Sequence, residues 1–192
     1  MVIYDGELEE LLKSHAEQSE SLSILHRYCF EFFNFISNAS NAFVIVLSAG
    51  VGFAQAVSID WPHTNLILGL LSLVIGLVKS LETYFATSRM ASEHKIVYLS
   101  YKKIQKNLTV QLSLHREDRR PPEELLAIIQ DNLIQLEESS PPLLPYSLKR
   151  FRKKYGEPQG ISLPAVLNGL TQVKINRPLN VVGDIIHIDN IP

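Results

Sequence analysis

An uncharged run of 21 residues, from Ala39 to Ile59, constrains this chain more than any other feature of its sequence. Gln55 is a strongly polar side chain inside the run, Asn41 lies near its start, and no face of the run is charged. A helix rises about 1.5 Å per residue, so the run is roughly 30 Å long, which is the thickness of the hydrocarbon core of a bilayer. The run therefore predicts a membrane-spanning helix.

A second apolar run follows at once, from Thr64 to Val78, and is long enough to cross a bilayer when it is extended to Phe85. The extension contains Lys79 and Glu82, which lie three residues apart on one helical face. Near the end of a span, Lys79 can extend its ammonium group to the headgroups or pair with Glu82. The alternative is two buried helices of a soluble protein, although long uncharged stretches without a polar face are unusual there.

Aromatic residues flank the two predicted spans, which cover residues 39–59 and 64–85. Aromatic side chains prefer the boundary between lipid and water, and here they lie in the connecting turn and at the end of the second span. The predicted interface anchors are Trp61, Lys79, Tyr84 and Phe85.

Basic residues predict the orientation of the spans. The connection Asp60–Asn65 has no lysine or arginine, whereas Arg27 precedes the first span and several basic residues follow the second. The first 30 residues do not resemble a signal peptide, because they begin with acidic residues and lack a short apolar core after a basic region. By the positive-inside rule, we expect an integral membrane protein with both termini on the cytoplasmic side.

Composition excludes several classes of protein. The formal net charge is −2, whereas a general nucleic-acid binder is normally basic, so we expect no sequence-specific nucleic acid partner. A single cysteine, Cys29, excludes an internal disulfide, and the six histidines show no metal-ligand spacing. We find no phosphate-binding loop, dinucleotide fingerprint or nucleophile motif, and expect neither an enzyme nor a bound cofactor.

Helical periodicity continues outside the spans. Apolar residues recur at steps of three and four on both sides, namely Leu22, Leu25, Cys29, Phe32 and Ile36 upstream, and Val97, Tyr101, Ile104, Leu108 and Leu112 downstream. Pro121-Pro122-Glu123-Glu124 starts a further amphipathic helix, which stops at Ser139-Ser140-Pro141-Pro142. The sequence therefore predicts an all-α membrane protein, a two-helix transmembrane hairpin whose helices extend into a cytoplasmic bundle.

Small and polar residues within the spans are candidates for helix packing. Two Ser-x-x-x-Gly pairs place small residues four apart, which lets helices approach closely in lipid. Gln55 is expected to hydrogen-bond across the hairpin or between protomers, or to line a wet pathway. The predicted span-packing or pore-lining residues are Ser48, Gly52, Gln55, Ser72 and Gly76.

The chain divides into an acidic segment at residues 1–17, the two-span domain at 18–155 and an extended tail at 156–192. A basic run ends the domain, with Lys149, Arg150, Arg152, Lys153 and Lys154. These residues either contact anionic headgroups or a partner, or form a solvated run that enforces orientation. The tail has two β-branched segments, at 172–175 and 181–188, and is expected to add a strand to or wrap a neighbouring chain, or to be poorly ordered.

The layout resembles the SLATT superfamily, the SMODS- and SLOG-associating two-transmembrane effector domains, over roughly residues 18–155. The matching features are an aromatic exit from the second span at Tyr84 and Phe85, the polar segment Glu93-His94-Lys95, the tyrosines Tyr98 and Tyr101, and a stop at Ser140-Pro141. The resemblance implies a membrane effector that oligomerises and forms a pore or perturbs the membrane.

The chain departs from that pattern in two ways, since it shows no recognisable nucleotide-synthesising or nucleotide-sensing domain and carries the tail after Gly156. These departures favour a second hypothesis, in which the hairpin is a structural membrane anchor. Its tail would then dock a larger assembly, for example the capsid of a virus with an internal membrane.

Overall fold

The computed structural model describes residues 4–57, 61–156 and 159–169, and these residues form helices joined by short connections, with no strand among them. The helices are α1 (Gly6–Ala56), α2 (Thr64–Tyr84), α3 (Thr87–Ser113), α4 (Pro122–Ser139), α5 (Pro145–Tyr155) and α6 (Ala165–Asn168). A short 3-10 helix, Arg116–Asp118, lies between α3 and α4. The all-helical class is confirmed.

Two stretches are long and apolar enough to cross a membrane, namely α1 and the Thr64–Ser113 stretch formed by α2 and α3. In the most apolar window of each, only 11% and 6% of the residues are buried inside the fold. The two long apolar helices that the sequence predicts are therefore present, and the other described residues leave most of their apolar surface uncovered.

Helix α1 is a single element of 51 residues, about 75 Å long. The N-terminus of α1 is capped by Asp5, whose side chain accepts a hydrogen bond from the Leu8 backbone N–H at 2.7 Å. Glu7 and Glu9 in the first turn also interact favourably with the helix dipole. The acidic segment predicted at residues 1–17 is thus, from Gly6 onward, the beginning of the same helix that contains the first apolar run.

The second long stretch is interrupted at Ala86, between α2 and α3. Ala86 has a left-handed backbone conformation, with φ of 47°, and the α3 ladder begins there with a hydrogen bond from the Met90 N–H to the Ala86 carbonyl at 2.9 Å. Left-handed conformation is unfavourable for a residue with a side chain. No proline or glycine marks this position, so the sequence does not reveal the break.

The bundle core lies between α1, α3 and α4. Its buried residues are Tyr4, Leu8, Leu12, Ala16, Ile104, Leu108, Leu125 and Ile129. The predicted downstream stripe is confirmed, since Val97, Tyr101, Ile104 and Leu108 are all buried. The upstream stripe is buried at Leu25 and Cys29, whereas Phe32 and Ile36, nearer the apolar run, are partly exposed.

A second, smaller core fixes α5 to α1. It contains Leu25, Tyr28 and Phe151, with Leu163 and Leu167 packed against it. The beginning of the predicted tail therefore lies against the bundle, and the Ser162 backbone N–H also donates to the Glu17 carboxylate at 2.7 Å. The rest of the tail, including both β-branched segments, lies outside the described residues.

Candidate functional site at the base of the apolar helices

Polar side chains from α1 and α2 meet where the apolar helices join the bundle. The Glu82 carboxylate accepts hydrogen bonds from the hydroxyls of Ser37 and Ser40, at 3.0 and 3.4 Å. The Lys79 ammonium lies 2.8 Å from Glu82 Oε2 and also donates to the Asn41 side-chain oxygen. We call these five residues the polar cluster. Its contacts hold the last turns of α2 against α1.

The Lys79–Glu82 pair, one of two alternatives for Lys79 in the sequence, is thus present. The Glu82 side chain is only 12% exposed, and both of its oxygens have donors, while Lys79 is 44% exposed and supplies the balancing charge. Ionisable groups beside an apolar segment are stable only when they are paired in this way. The polar cluster therefore locks the register of α2 on α1.

Beyond the polar cluster, α1 and α2 present a continuous apolar surface. Among the described residues, Val51 and Leu68 are the buried apolar positions in this part of the two helices. Large apolar side chains are exposed on both, including Phe43, Ile45, Val46 and Phe53 on α1 and Leu66, Leu70, Leu73, Leu77 and Leu81 on α2. No other described element packs over them.

The five predicted span residues lie on this outer surface. Ser48, Gly52, Gln55, Ser72 and Gly76 are all exposed. A Cβ atom added at Gly52 or Gly76 would meet no atom within 4 Å, so these glycines do not bring α1 and α2 of one chain together. The Ser72 hydroxyl donates to the Leu68 carbonyl at 2.9 Å, and the Gln55 side chain makes no hydrogen bond with any described residue.

The predicted interface anchors lie at the two ends of the apolar surface. Trp61 is exposed in the turn before α2, and Tyr84 and Phe85 are exposed at the other end, with their rings in edge contact at 5.1 Å. Phe35 on α1 is also exposed near that second end. Aromatic side chains therefore border the apolar surface on both sides.

Two histidines meet in the bundle, on the seam between α1 and α3. The Nδ1 atoms of His26 and His94 are 2.9 Å apart, and both side chains are buried. Phe33 stacks on His94 with ring centres 5.6 Å apart, and Tyr101 stacks on His26 at 5.9 Å. Because one Nδ1 must donate and the other accept, at least one ring carries no charge.

Burial lowers the pKa of both histidines. The pKa of His26 falls to about 4 because the ring is desolvated and faces His94. Desolvation also lowers the pKa of His94, partly opposed by the nearby Glu93 carboxylate. His94 Nε2 is buried and makes no hydrogen bond in the described part of the chain. At neutral pH, therefore, this is an uncharged pair in an aromatic cage.

Sequence reasoning missed this pair. The two histidines are 68 residues apart and looked unrelated. A signal was present, however, because His26 lies three residues from Cys29 and His94 lies three from Val97, so each continues a buried stripe. No group of three or more His, Cys, Asp or Glu is placed to hold a metal ion within residues 4–57, 61–156 and 159–169.

The basic run lies in α5, and its five basic side chains differ in their contacts: two bind other described residues, and three are exposed lysines. The Arg150 guanidinium lies 4.2 Å from the centre of the Tyr28 ring and pairs with Glu31 at 2.8 Å. Arg152 donates to the Leu167 carbonyl at 3.3 Å. The remaining three, Lys149, Lys153 and Lys154, are exposed.

Comparison with known proteins gives no match, neither to a family model nor to a curated protein nor to a solved structure. What the residues define is a helical bundle joined to two long apolar helices through a polar cluster. A buried histidine pair lies in that bundle, and a basic helix lies on its side.

Proposed function

We propose that this chain is an integral membrane protein that inserts α1 and α2 as a hairpin, oligomerises through them, and forms a pore or perturbs the membrane. The observation that carries the proposal is the apolar surface of these helices, of which so little is buried. A patch of this size is rarely exposed to water on a soluble monomer, and lipid covers it without cost. Helix α2, with 21 residues, matches the thickness of a bilayer core.

The exposed aromatic residues support the same placement. Trp61 lies at one boundary of the apolar surface, and Phe35, Tyr84 and Phe85 lie at the other, as expected for the two interfaces of a bilayer. The basic residues Arg27, Arg89 and Lys95 are on the bundle side. By the positive-inside rule, the bundle and the described parts of both terminal regions lie in the cytoplasm.

Polar residues recur every seventh position along both helices. They are Asn41, Ser48 and Gln55 on α1 and Asn65, Ser72 and Lys79 on α2. We call these six residues the heptad face. Residues seven apart drift by only about 20° around a helix, so each trio forms one stripe.

The two stripes lie on the same side of the hairpin. The hydrogen bond between Lys79 and Asn41 joins them at the base. Because α1 and α2 are antiparallel, this register brings Ser48 to the depth of Ser72, and Gln55 to the depth of Asn65. The result is three levels of polar groups across an otherwise apolar hairpin.

One hairpin cannot enclose a water-filled path, but several copies with their heptad faces turned inward can. In lipid, polar side chains without partners hydrogen-bond across helices, and small residues such as Gly52 and Gly76 let neighbouring helices approach. Gln55, which has no partner among the described residues, then gains one from a second copy or from water in the pore.

Two measurements test this proposal with matched controls. In liposomes that contain the purified protein, we expect dye release, and we expect Gln55→Leu to change it while Phe53→Leu on the other side of α1 does not. We also expect Ser48→Cys to form disulfide-linked dimers in the membrane, whereas Val46→Cys, at similar depth on another face, does not. The native Cys29 is buried and does not compete.

Tight liposomes without cross-linking would contradict an oligomeric pore. If removal of residues 156–192 then abolished assembly with a larger complex, the structural anchor would replace it.

A further inference from the structure

Helix α5 crosses α1 close to the proposed membrane boundary. Its Phe151 packs in the small core with Leu25 and Tyr28, and its Tyr146 ring lies 5.5 Å from the Phe32 ring. Arg150 reaches Glu31 at 2.8 Å. Residues 25–32 of α1 lie seven to fourteen residues before the apolar run, so α5 is held about 10–20 Å below it.

The two flanks of α5 face in opposite directions along α1. Tyr146 and Arg150 contact Phe32 and Glu31, on the side of the apolar run. Arg152, on the other flank, contacts Leu167, whose segment is anchored near the start of α1 through the hydrogen bonds of Ser162 with Ser14 and Glu17. The flank that faces the membrane contains Tyr146, Lys149, Arg150 and Lys153, which are spaced by three and four residues.

The distance fits the headgroup layer. Glu31 lies eight residues before Ala39, which is about 12 Å along α1. The headgroup region adds roughly 5–7 Å to each side of the hydrocarbon core, and lysine side chains extend their ammonium groups toward such a boundary. Lys149 and Lys153 therefore reach the phosphates of the adjacent leaflet.

The positive charge on this flank exceeds the negative charge that the described residues place against it. Glu31 is the acidic contact there, and it is shared by Arg27 at 3.1 Å and Arg150 at 2.8 Å. Lys149 and Lys153 have no carboxylate partner among the described residues. Tyr146 and the exposed Phe35 add the aromatic groups that settle at a lipid interface.

We infer that this flank of α5 binds anionic phospholipid headgroups through Lys149 and Lys153, with Tyr146 at the lipid boundary. The inference rests on the proposed membrane insertion. It assigns to the basic run a role in lipid selection, separate from any role of α1 and α2 in oligomerisation.

The test compares lipids retained by the full-length protein. The protein is reconstituted in vesicles of equimolar phosphatidylcholine and phosphatidylglycerol, extracted in mild detergent, and analysed by native mass spectrometry. We expect the wild type to retain phosphatidylglycerol preferentially, and Lys149→Gln/Lys153→Gln to lower its relative affinity roughly 30-fold, since each lysine near a membrane surface contributes about fivefold.

A matched variant, Lys102→Gln/Lys106→Gln, removes the same charge from exposed positions on α3, far from the boundary. This control is expected to keep the preference. Equal loss in both variants, or equal retention of the two lipids by the wild type, would overturn the inference.

Insertion is measured separately, by resistance to alkaline extraction from pure phosphatidylcholine vesicles. A protein that resists extraction but shows no lipid preference refutes only the headgroup inference. A protein that is extracted refutes the proposed membrane insertion itself.

Discussion

His26 and His94 share a hydrogen bond of 2.9 Å between their Nδ1 atoms, in the middle of the seam between α1 and α3. The contact joins the helix that contains the first apolar run to the helix that follows the second. It requires at least one uncharged ring, because two imidazolium rings at this distance both donate and repel.

We predict that acid destabilises the bundle. The unfolded chain protonates its histidines below about pH 6.5, whereas the pKa of His26 in the fold is about 4. Between these values the unfolded state binds more protons at His26, so its contribution to stability is complete above pH 6.5 and falls as the pH drops toward 4, by about 1.4 kcal/mol per pH unit. Thermal unfolding in detergent should give a Tm roughly 4–8 °C lower at pH 5.0 than at pH 7.5.

The histidine origin of this effect is checked by substitution. His26→Gln/His94→Gln, which keeps two hydrogen-bonding side chains, should lose most of this pH dependence and keep only the part due to His15, whose pKa is also lowered by burial. His115→Gln, at an exposed position, should behave as the wild type. The low pKa of Glu9, about 2, does not interfere, because stability linked to it is lost only as the pH falls from 4.5 toward 2. A double variant as pH-dependent as the wild type would disprove the assignment.

The polar cluster should behave as one unit. Glu82→Leu leaves the Lys79 ammonium without its carboxylate, and Lys79→Met leaves Glu82 with hydroxyl donors alone, so each is expected to cost about 2 kcal/mol. The double variant should cost less than the sum of the two. Unfolding in detergent for all four proteins gives the coupling energy, and strict additivity would show that the two groups act independently.

Two arginines that bind the same glutamate should differ in importance. Arg119 is 8% exposed, contacts Glu9 at 2.6 Å and also donates to the Leu112 and Leu114 carbonyls, whereas Arg116 is 56% exposed. We expect Arg119→Ala to lower stability by about 2 kcal/mol and Arg116→Ala by less than about 1 kcal/mol. The difference in Tm between the two variants is the measurement, and an equal or inverted effect would contradict it.

The left-handed conformation of Ala86 predicts a stabilising substitution. Glycine adopts φ of 47° without a Cβ clash, so Ala86→Gly should raise stability by about 0.5–1 kcal/mol. The matched control is Ala127→Gly, in the exposed middle of α4, which should lower it by about 1 kcal/mol. If both substitutions lowered Tm alike, a left-handed break at this position would be wrong.

Local patterns predicted much of this fold. Helix α4 begins at Pro122 and ends at Ser139, as its start and stop residues indicate, because capping depends on neighbours in the sequence. The Lys79–Glu82 pair could be predicted for the same reason, because two side chains three residues apart on a helix lie next to each other.

Contacts between residues that are distant in the sequence could not be predicted from local patterns. Ser37 and Glu82 are 45 residues apart, and their contact depends on the register between α1 and α2, which the length of the turn alone does not determine. The break at Ala86 has no proline or glycine signal in the sequence. The seven-residue spacing of the heptad face is present in the sequence, but the alignment of its two stripes depends on the contact between Lys79 and Asn41.

Helix α1 is one uninterrupted helix of about 75 Å, whereas the helical stretch formed by α2 and α3 is interrupted at Ala86. Only the part of α1 from Ser37 to Ala56 extends beyond the bundle, about 30 Å, so a tilt of about 5° at the polar cluster moves its end by about 2.6 Å. The polar cluster ties α2 to α1, so the ends of both helices move together, and the movement grows in proportion to the length beyond the cluster.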